Sequence, residues 1–332
     1  CWWGVSDVFK GEGLDIIVKD LRGMGHVGCL DPKSLADDDI EIVATNTPLV
    51  DGDFSKSGLR GFEVEAGWAD DEEFNDSDME HDAILGSDVI AIQRVTTGGE
   101  RGIKDGVRSS TAIKLESNNL NIVKDDLVLV ADCSKGRLVR VSNVSNDGAQ
   151  VLLEHNDSAN AGADNNFDYS TFADKITNDS AVSIMKFMSL AYFVADTGRK
   201  NSAGDAVFAL YRQRDNLLDG AVPSFTVEEL LEGVDTLQIL YGERLADDSI
   251  RFVPAGTAGM DMLSVESVRV GVLVSSTRNV QQATDMQSYL LPGGEVSPEP
   301  SDGLTHPVDR RIRRAFSTTV YLRNRPVRQD SI

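Results

Sequence analysis

Short β-type runs, separated by turn signals, recur along most of the chain and constrain its fold more than any other feature. Val, Ile, Leu and aromatic residues dominate them, as in strands with at least one buried face. Glycine-containing turns such as 134–136 and 146–148 lie between neighbouring runs, which is typical of antiparallel strands joined by tight connections. We therefore expect a meander of antiparallel strands. The runs are residues 40–45, 61–66, 88–95, 111–117, 126–132, 137–144, 149–155, 181–196, 206–214, 236–244, 267–276 and 316–325.

One amphipathic helix is predicted ahead of these runs, over residues 7–24. Four apolar residues follow one another at i, i+3, i+4 and i+7, a spacing that places them on one face of a helix. Such a face has to be covered, so we predict that it is the packing face of the helix on a sheet. The face consists of Leu14, Ile17, Val18 and Leu21.

A second helix is predicted over residues 227–233. Ser224 and Thr226 are candidate N-caps, and two glutamates follow in the first turn, where they favour a helix N-terminus. Two helices among many strands indicate an α+β fold rather than a doubly wound sheet. The fold class predicted is a strand-rich α+β fold with an N-terminal helix packed on antiparallel β-sheets.

Two long segments are predicted to be surface loops. Residues 51–82 contain 12 acidic residues against Lys56 and Arg60, and residues 156–180 are rich in Asn, Asp, Ser and Ala. Polar stretches of this length between strands are typical of surface excursions. We expect both to be solvated, or to face a partner.

The charge of the chain argues against a broad nucleic-acid-binding surface. A net charge of −22 and a pI near 4.5 repel phosphate groups, whether of nucleic acids or of anionic lipids. Six arginines nevertheless lie within residues 308–325. We predict that the four at 310, 311, 313 and 314 pair with acidic loops or helix ends; contact with a partner and contact with nucleic acid are the alternatives.

The strand that follows these arginines is predicted to close the fold. Alternation places Phe316, Val320 and Leu322 on one face of this strand. We predict that this face enters the core and that the three residues form a structural C-terminal strand.

No motif in the sequence indicates a catalytic residue, a bound cofactor or a phosphate-binding loop. The four histidines do not show a zinc-ligand spacing. Asp164, Asn166 and Asp168 are spaced like the first ligands of a calcium loop, but Tyr169 and Lys175 occupy the positions of its glycine and glutamate. We predict no metal, no cofactor and no catalytic residue, with an irregular calcium site as a minor alternative.

Three cysteines leave the redox state open. Cys1 is at the terminus, so Cys29 and Cys133 are the plausible pair. A bridge between them would close a long loop, whereas two buried free thiols would suit a reducing compartment. From the residues alone the two alternatives are equally supported.

Five stretches, in order along the chain, resemble minor pilins of type IV pili of the PilW family. The last of them, DRRIRRAFSTTVYLRNR, is the most specific. The stretches are residues 13–29, 86–95, 125–144, 229–243 and 309–325.

The resemblance implies a non-enzymatic Gram-negative pilus subunit related to the J pseudopilin of type II secretion. Such a protein carries a leader and an apolar helix half, which we expect to lie upstream of residue 1. It starts in the inner membrane and periplasm, held only by that helix, and ends in the extracellular pilus. Its expected partners are other minor pilins, the major pilin and a tip adhesin, in a priming complex that also serves adhesion.

The same resemblance implies that the chain has two parts, and it favours one of the two alternatives for the cysteines. Residues 1–28 would be the C-terminal part of the pilin helix, and residues 29–332 a single pilin-like β-rich head. Because the periplasm supports disulfides, it favours a Cys29–Cys133 bridge. Two rival functions remain as alternatives: a secreted hydrolase that uses paired carboxylates on a β scaffold, and a calcium-dependent adhesin.

Overall fold

The computed structural model describes most of the chain, with gaps at both termini and in several connections. Within the described ranges the chain forms one α-helix, α1 (Trp3–Gly23), a short 3₁₀ helix (Met262–Ser264) and eighteen strands. The side chains of the first part of α1 are not described. The described ranges are residues 3–28, 30, 40–44, 58–65, 81–101, 112–132, 135–155, 182–219, 222–298 and 304–324.

The strands range from two to eighteen residues in length. They are β1 (Ile40–Ile42), β2 (Leu59–Glu63), β3 (Asp88–Val95), β4 (Glu100–Arg101), β5 (Ala112–Leu115), β6 (Leu127–Ala131), β7 (Gly136–Arg140), β8 (Asn143–Asp147), β9 (Gln150–Glu154), β10 (Ser183–Lys200), β11 (Ala206–Asp219), β12 (Val222–Glu232), β13 (Val234–Arg244), β14 (Ile250–Val253), β15 (Val265–Ser275), β16 (Tyr289–Leu291), β17 (Gly294–Val296) and β18 (Arg313–Tyr321).

The prediction of an α+β fold with an N-terminal helix packed on antiparallel sheets is wrong as a fold class. Strands dominate the described residues and α1 is their one α-helix, so the fold is mostly β. The helix predicted at 227–233 is also wrong, because residues 227–232 belong to β12. Its glutamates lie in the ladder with β11, where Glu228 is opposite Arg212, and this pairing outweighs the local helix preference.

Four sheets organise the strands of the described residues. β10 is the central strand of the largest: its first residues pair with β6 and β4, its middle residues 187–192 pair with β3, and residues 190–200 pair with β11. The described pairs within these sheets are antiparallel except β1 with β7, which is parallel. The strand orders are β1-β7-β6-β10-β11-β12 with β2, β3 and β4 attached, β14-β13-β15-β18, β5-β9-β8 and β16-β17.

The largest core cluster lies where α1, the β10 sheet and the four-stranded sheet meet. Ile17 and Leu21 of α1 are fully buried there, together with Ile90 and Ile92 of β3. Strand β15 contributes valines at alternate positions from 268 to 274, as expected for one face of a pleated strand. The helix is therefore an integral part of a β-rich body. A second cluster joins β6, β7 and β10 to the three-stranded sheet.

Candidate functional site

A buried group of aspartates and arginines lies in the arginine-rich stretch near the C-terminus. We call it the Arg313 cluster. Arg311 is 1% exposed and Arg313 is 4% exposed, which is rare for a charged side chain unless its charge is compensated. The sequence singles out the arginines but not the carboxylates. The cluster consists of Asp235, Asp285, Asp309, Arg311 and Arg313.

Arg313 is the centre of this cluster. Its Nε donates to Asp235 Oδ2 at 2.7 Å. Its Nη1 and Nη2 each donate to a different oxygen of Asp309 at 2.9 Å, a bidentate pairing, and Nη1 also reaches Asp285 at 3.2 Å. Arg311 Nε donates to Asp309 at 2.5 Å, and its Nη1 lies 3.8 Å from Asp235. Planar bidentate pairing of this kind is specific to arginine.

The surroundings of Asp309 and Arg313 favour the charged form of each. Burial on its own raises the pKa of Asp309, but hydrogen bonds from Arg313 and Arg311 outweigh burial and hold that pKa below its ordinary value. Burial lowers the pKa of Arg313, and the bonds to Asp309 and Asp235 more than reverse this. The Asp309 carboxylate and the Arg313 guanidinium therefore stay charged at neutral pH.

Neighbouring polar groups complete the cluster. Ser275 Oγ donates to Asp235 at 2.8 Å, and Tyr289 Oη donates to Asp285 at 2.9 Å. Burial and the bond to Asp285 raise the pKa of Tyr289 to about 12. His306 is buried, with Nε2 2.8 Å from the carbonyl oxygen of Gln287. Strands β13, β15, β16 and β18 are thus joined through one polar network.

This arrangement is suited to holding strands together rather than to acid–base chemistry. Every charge in it has an opposite partner at short range, and the pKa values of Asp309 and Arg313 move away from neutrality. The predicted pairing of the arginines occurs for Arg311 and Arg313. Two of the aspartates, Asp285 and Asp309, lie in connections between strands, and the third, Asp235, lies in β13. Asp235 could not be linked to them from the sequence, because 76 or more residues separate it from either arginine.

A second charged group fastens α1 to the β10 sheet. Asp20 is 2% exposed and accepts hydrogen bonds from Arg94 of β3, at 2.6 Å, and from the hydroxyl of Tyr192 of β10. Burial and the neighbouring Asp20 carboxylate raise the pKa of Tyr192. Sequence reasoning missed this residue. The available signal in the sequence was that Asp20 lies three residues after Ile17, a member of the predicted packing face, and so lies next to that face.

Two carboxyl groups face one another between the sheets. Glu63 of β2 is directly opposite Asp88 of β3. Asp88 Oδ2 accepts from the backbone N–H of Ile239 at 2.6 Å, and Glu63 Oε1 accepts from that of Ala255 at 3.2 Å. Burial and the charge of Glu63 raise the pKa of Asp88 to about 8, so one proton is shared by the pair at neutral pH. Asp88 is 4% exposed, which leaves little access for a substrate.

The hydroxyl of Tyr241 lies beside this pair. Burial, followed by the charges of Asp88 and Glu63, raises the pKa of Tyr241 well above its ordinary value. The hydroxyl has no hydrogen-bond partner in the described part of the chain. Gly61 allows it this position, since a Cβ there would lie 2.0 Å from the hydroxyl oxygen.

The other residues singled out in the sequence fall in different places. The helix-face residues Leu14 and Val18, like Ile17 and Leu21, are buried in the largest cluster. Val320 on β18 and Leu322 just after it are buried, and Phe316 packs against the same cluster while partly exposed.

Several predictions concern residues outside the described ranges. These are Cys29 and Cys133, the calcium-like residues 164–168, the whole of 156–180 and most of 51–82; within 51–82, Leu59–Glu63 forms β2. No group of potential metal ligands occurs among the described residues. No helix in the described ranges has the length and hydropathy needed to span a membrane.

Comparison with known proteins gives one match. The family model described as type IV pilus-assembly protein W matches residues 191–324, from within β10 to just after β18. The match includes residues 229–243 and all but the last residue of 309–325, but not the three earlier stretches of resemblance. It also includes every member of the Arg313 cluster. No curated protein and no solved structure matches the chain.

Proposed function

We propose that this chain belongs to the PilW family of type IV pilus-assembly proteins, whose family model matches residues 191–324, and that it is a minor pilin without enzymatic activity. In this proposal it joins the complex that primes pilus assembly and remains near the pilus tip, where it contributes to adhesion. The single observation that carries the proposal is the family match. It covers a continuous part of the fold in which sequence-distant strands are locked to one another.

The charged groups of the structure are consistent with a non-enzymatic subunit. Each charge of the Arg313 cluster is paired with an opposite charge, and the carboxyl pair Glu63–Asp88 is enclosed between strands. A hydrolase based on paired carboxylates would need such a pair to converge on a cleft that admits substrate. These observations favour a body that keeps its shape while its surfaces bind other subunits.

The proposal extends to partners and location. We expect the chain to bind other minor pilins, the major pilin and a tip adhesin, first in the inner membrane and periplasm and then in the extracellular pilus. Residues 1–28 and 29–332 would act as one unit, with the loops near 51–82 and 156–180 available to neighbouring subunits. Affinity purification of the tagged chain from its own organism tests this. Enrichment of pilus-assembly proteins is expected, and recovery of none of them would contradict the proposal.

A disulfide between Cys29 and Cys133 belongs to the same proposal, because the periplasm is oxidising. Proteolysis of the periplasmic protein without reductant, after free thiols have been alkylated, should yield a linked pair of peptides that contain these cysteines. Alkylated Cys29 and Cys133 in separate peptides would rule out the bridge.

A further inference from the structure

A cleft of about 380 Å³ lies at the end of the β10–β11 hairpin. One side is the hairpin turn, with Arg199, Lys200 and Asn201. The other side is the segment that follows β15, with Thr277 and Arg278. None of these residues belongs to the Arg313 cluster, to the Asp20 group or to the Glu63–Asp88 pair.

The walls of the cleft are held by hydrogen bonds from several elements. Asp205 accepts from the side-chain amides of Asn201, at 2.9 Å, and Asn279, at 3.2 Å, so the two sides are tied together. Behind them, the backbone of Gly233 bonds to Phe208 and to Ser275. Gly233 has φ +80°, and a Cβ there would lie 2.4 Å from the carbonyl oxygen of Ser275. These hydrogen bonds fix the two sides of the cleft relative to one another, so the cleft is preformed.

The charges of the cleft contrast with those of the molecule. Three cationic side chains, Arg199, Lys200 and Arg278, line it together with one carboxylate, Glu232, in a chain of net charge −22. Arg199 is engaged by Glu229 and Glu232, at 2.6 to 2.9 Å. Lys200 and Arg278 are exposed, and no carboxylate of the described residues pairs with either. Two cations from different elements thus remain available to a ligand.

We propose that this cleft binds an acidic peptide segment of a neighbouring subunit. Lys200 and Arg278 would each pair with a carboxylate, and the side chains of Asn201 and Thr277 would offer hydrogen bonds between them. Two carboxylates in one peptide can bind both sides of the cleft in a single association step. Two separate small acids would each lose translational freedom on binding. The overall negative charge disfavours nucleic acid as the ligand. The inference rests on the proposed function only for the source of the segment.

The experiment uses the full chain and a labelled synthetic peptide, DDEEFNDSD, which copies residues 70–78 of this sequence. Its control is the uncharged analogue NNQQFNNSN. Fluorescence anisotropy at low salt should show binding of the acidic peptide and not of the analogue, and affinity should fall as salt rises. Lys200→Gln and Arg278→Gln should each weaken binding roughly two- to fivefold, and the double variant about tenfold or more, the range expected for exposed ion pairs.

The matched control is Arg323→Gln, which removes the same charge from an exposed position outside the cleft. It should leave affinity unchanged, and all variants should keep the wild-type melting temperature. Equal weakening by Arg323→Gln, absence of binding, or tighter binding of an oligonucleotide would overturn the proposal. So would full competition by succinate at the same carboxylate concentration, since that identifies a small-acid site. If the peptide binds but the affinity purification recovers no pilus-assembly proteins, only the proposed function is contradicted.

Discussion

At the scale of single residues, the structure depends on buried charges that are paired with opposite charges. Arg313 contacts three aspartates from distant parts of the chain, and Asp20 collects donors from two strands. Such sets contribute little net stability compared with apolar residues of the same shape, but removal of one member leaves an uncompensated charge. We therefore expect these sets to act mainly by specifying which strands pair. Two predictions concern individual side chains.

Replacement of Arg313 should be among the most damaging single changes. Arg313→Met leaves Asp235, Asp285 and Asp309 buried with Arg311 as the remaining cation, and should lower the free energy of unfolding by about 3–5 kcal/mol. Denaturant unfolding followed by fluorescence measures the loss. Arg310→Met, at an exposed neighbouring position, is the control and should change it by less than about 0.5 kcal/mol. Similar losses for both variants would contradict the role given to the cluster.

The carboxyl pair Glu63–Asp88 predicts a specific pH dependence. Because the folded pKa of Asp88 is about 8 and its ordinary value is 3.8, the folded state retains a proton that the unfolded state releases between these values. This pair therefore makes the folded state less stable as pH rises from about 4 to about 8. Asp88→Asn keeps an acceptor for Ile239 and removes the titration, so the variant should gain stability relative to wild type over that range.

Thermal melting of wild type and Asp88→Asn from pH 4 to 8 measures this difference. Asp82→Asn, which alters an exposed carboxylate, provides the control and should follow the wild-type profile. Parallel profiles for wild type and Asp88→Asn would show that the pair does not share a proton in the folded protein.

At the scale of elements, sequence patterns predict an element correctly where its own residue spacing defines it. They fail where pairing with distant parts of the chain determines the structure. The helix face Leu14–Ile17–Val18–Leu21 could be found because the spacing alone defines it, and these residues are buried. Strand β12 could not be found, since its EELLE stretch favours a helix locally and only the ladder with β11 makes it a strand. The buried position of Asp20 likewise depends on Arg94 and Tyr192, which no local pattern connects to it.

The Asp20 group predicts that α1 can be loosened separately from the strands. Asp20→Ala leaves Arg94 and Tyr192 without their shared acceptor, and should lower the free energy of unfolding by about 3 kcal/mol or more. Hydrogen exchange followed by mass spectrometry should show faster exchange in peptides from α1, with β15 little affected. Asp15→Ala, at an exposed position on the same helix, should leave exchange unchanged; equally fast exchange in both variants would refute an anchoring role.

At the scale of the whole molecule, sequence alone was sufficient for the strand-rich character and for the PilW resemblance, but not for the fold class. Most β-type runs correspond to strands, because alternating or continuous apolar residues report burial on a pleated sheet. The proportion of strand to helix and the arrangement of the sheets could not be predicted from these runs, because β10 extends to eighteen residues and pairs with several other strands. The Arg313 cluster shows the same limit: its arginines are evident in the sequence, whereas their aspartate partners are fixed only by the tertiary structure.

The central claim is that this β-rich chain is a subunit on which assembly of a type IV pilus depends. Its most direct test is a count of surface pili per cell by electron microscopy in a deletion strain of the organism that carries the gene, with and without complementation. The account predicts that deletion sharply reduces the count, that the wild-type gene restores it, and that the Arg313→Met gene restores it poorly. Normal piliation in the deletion strain would contradict the account.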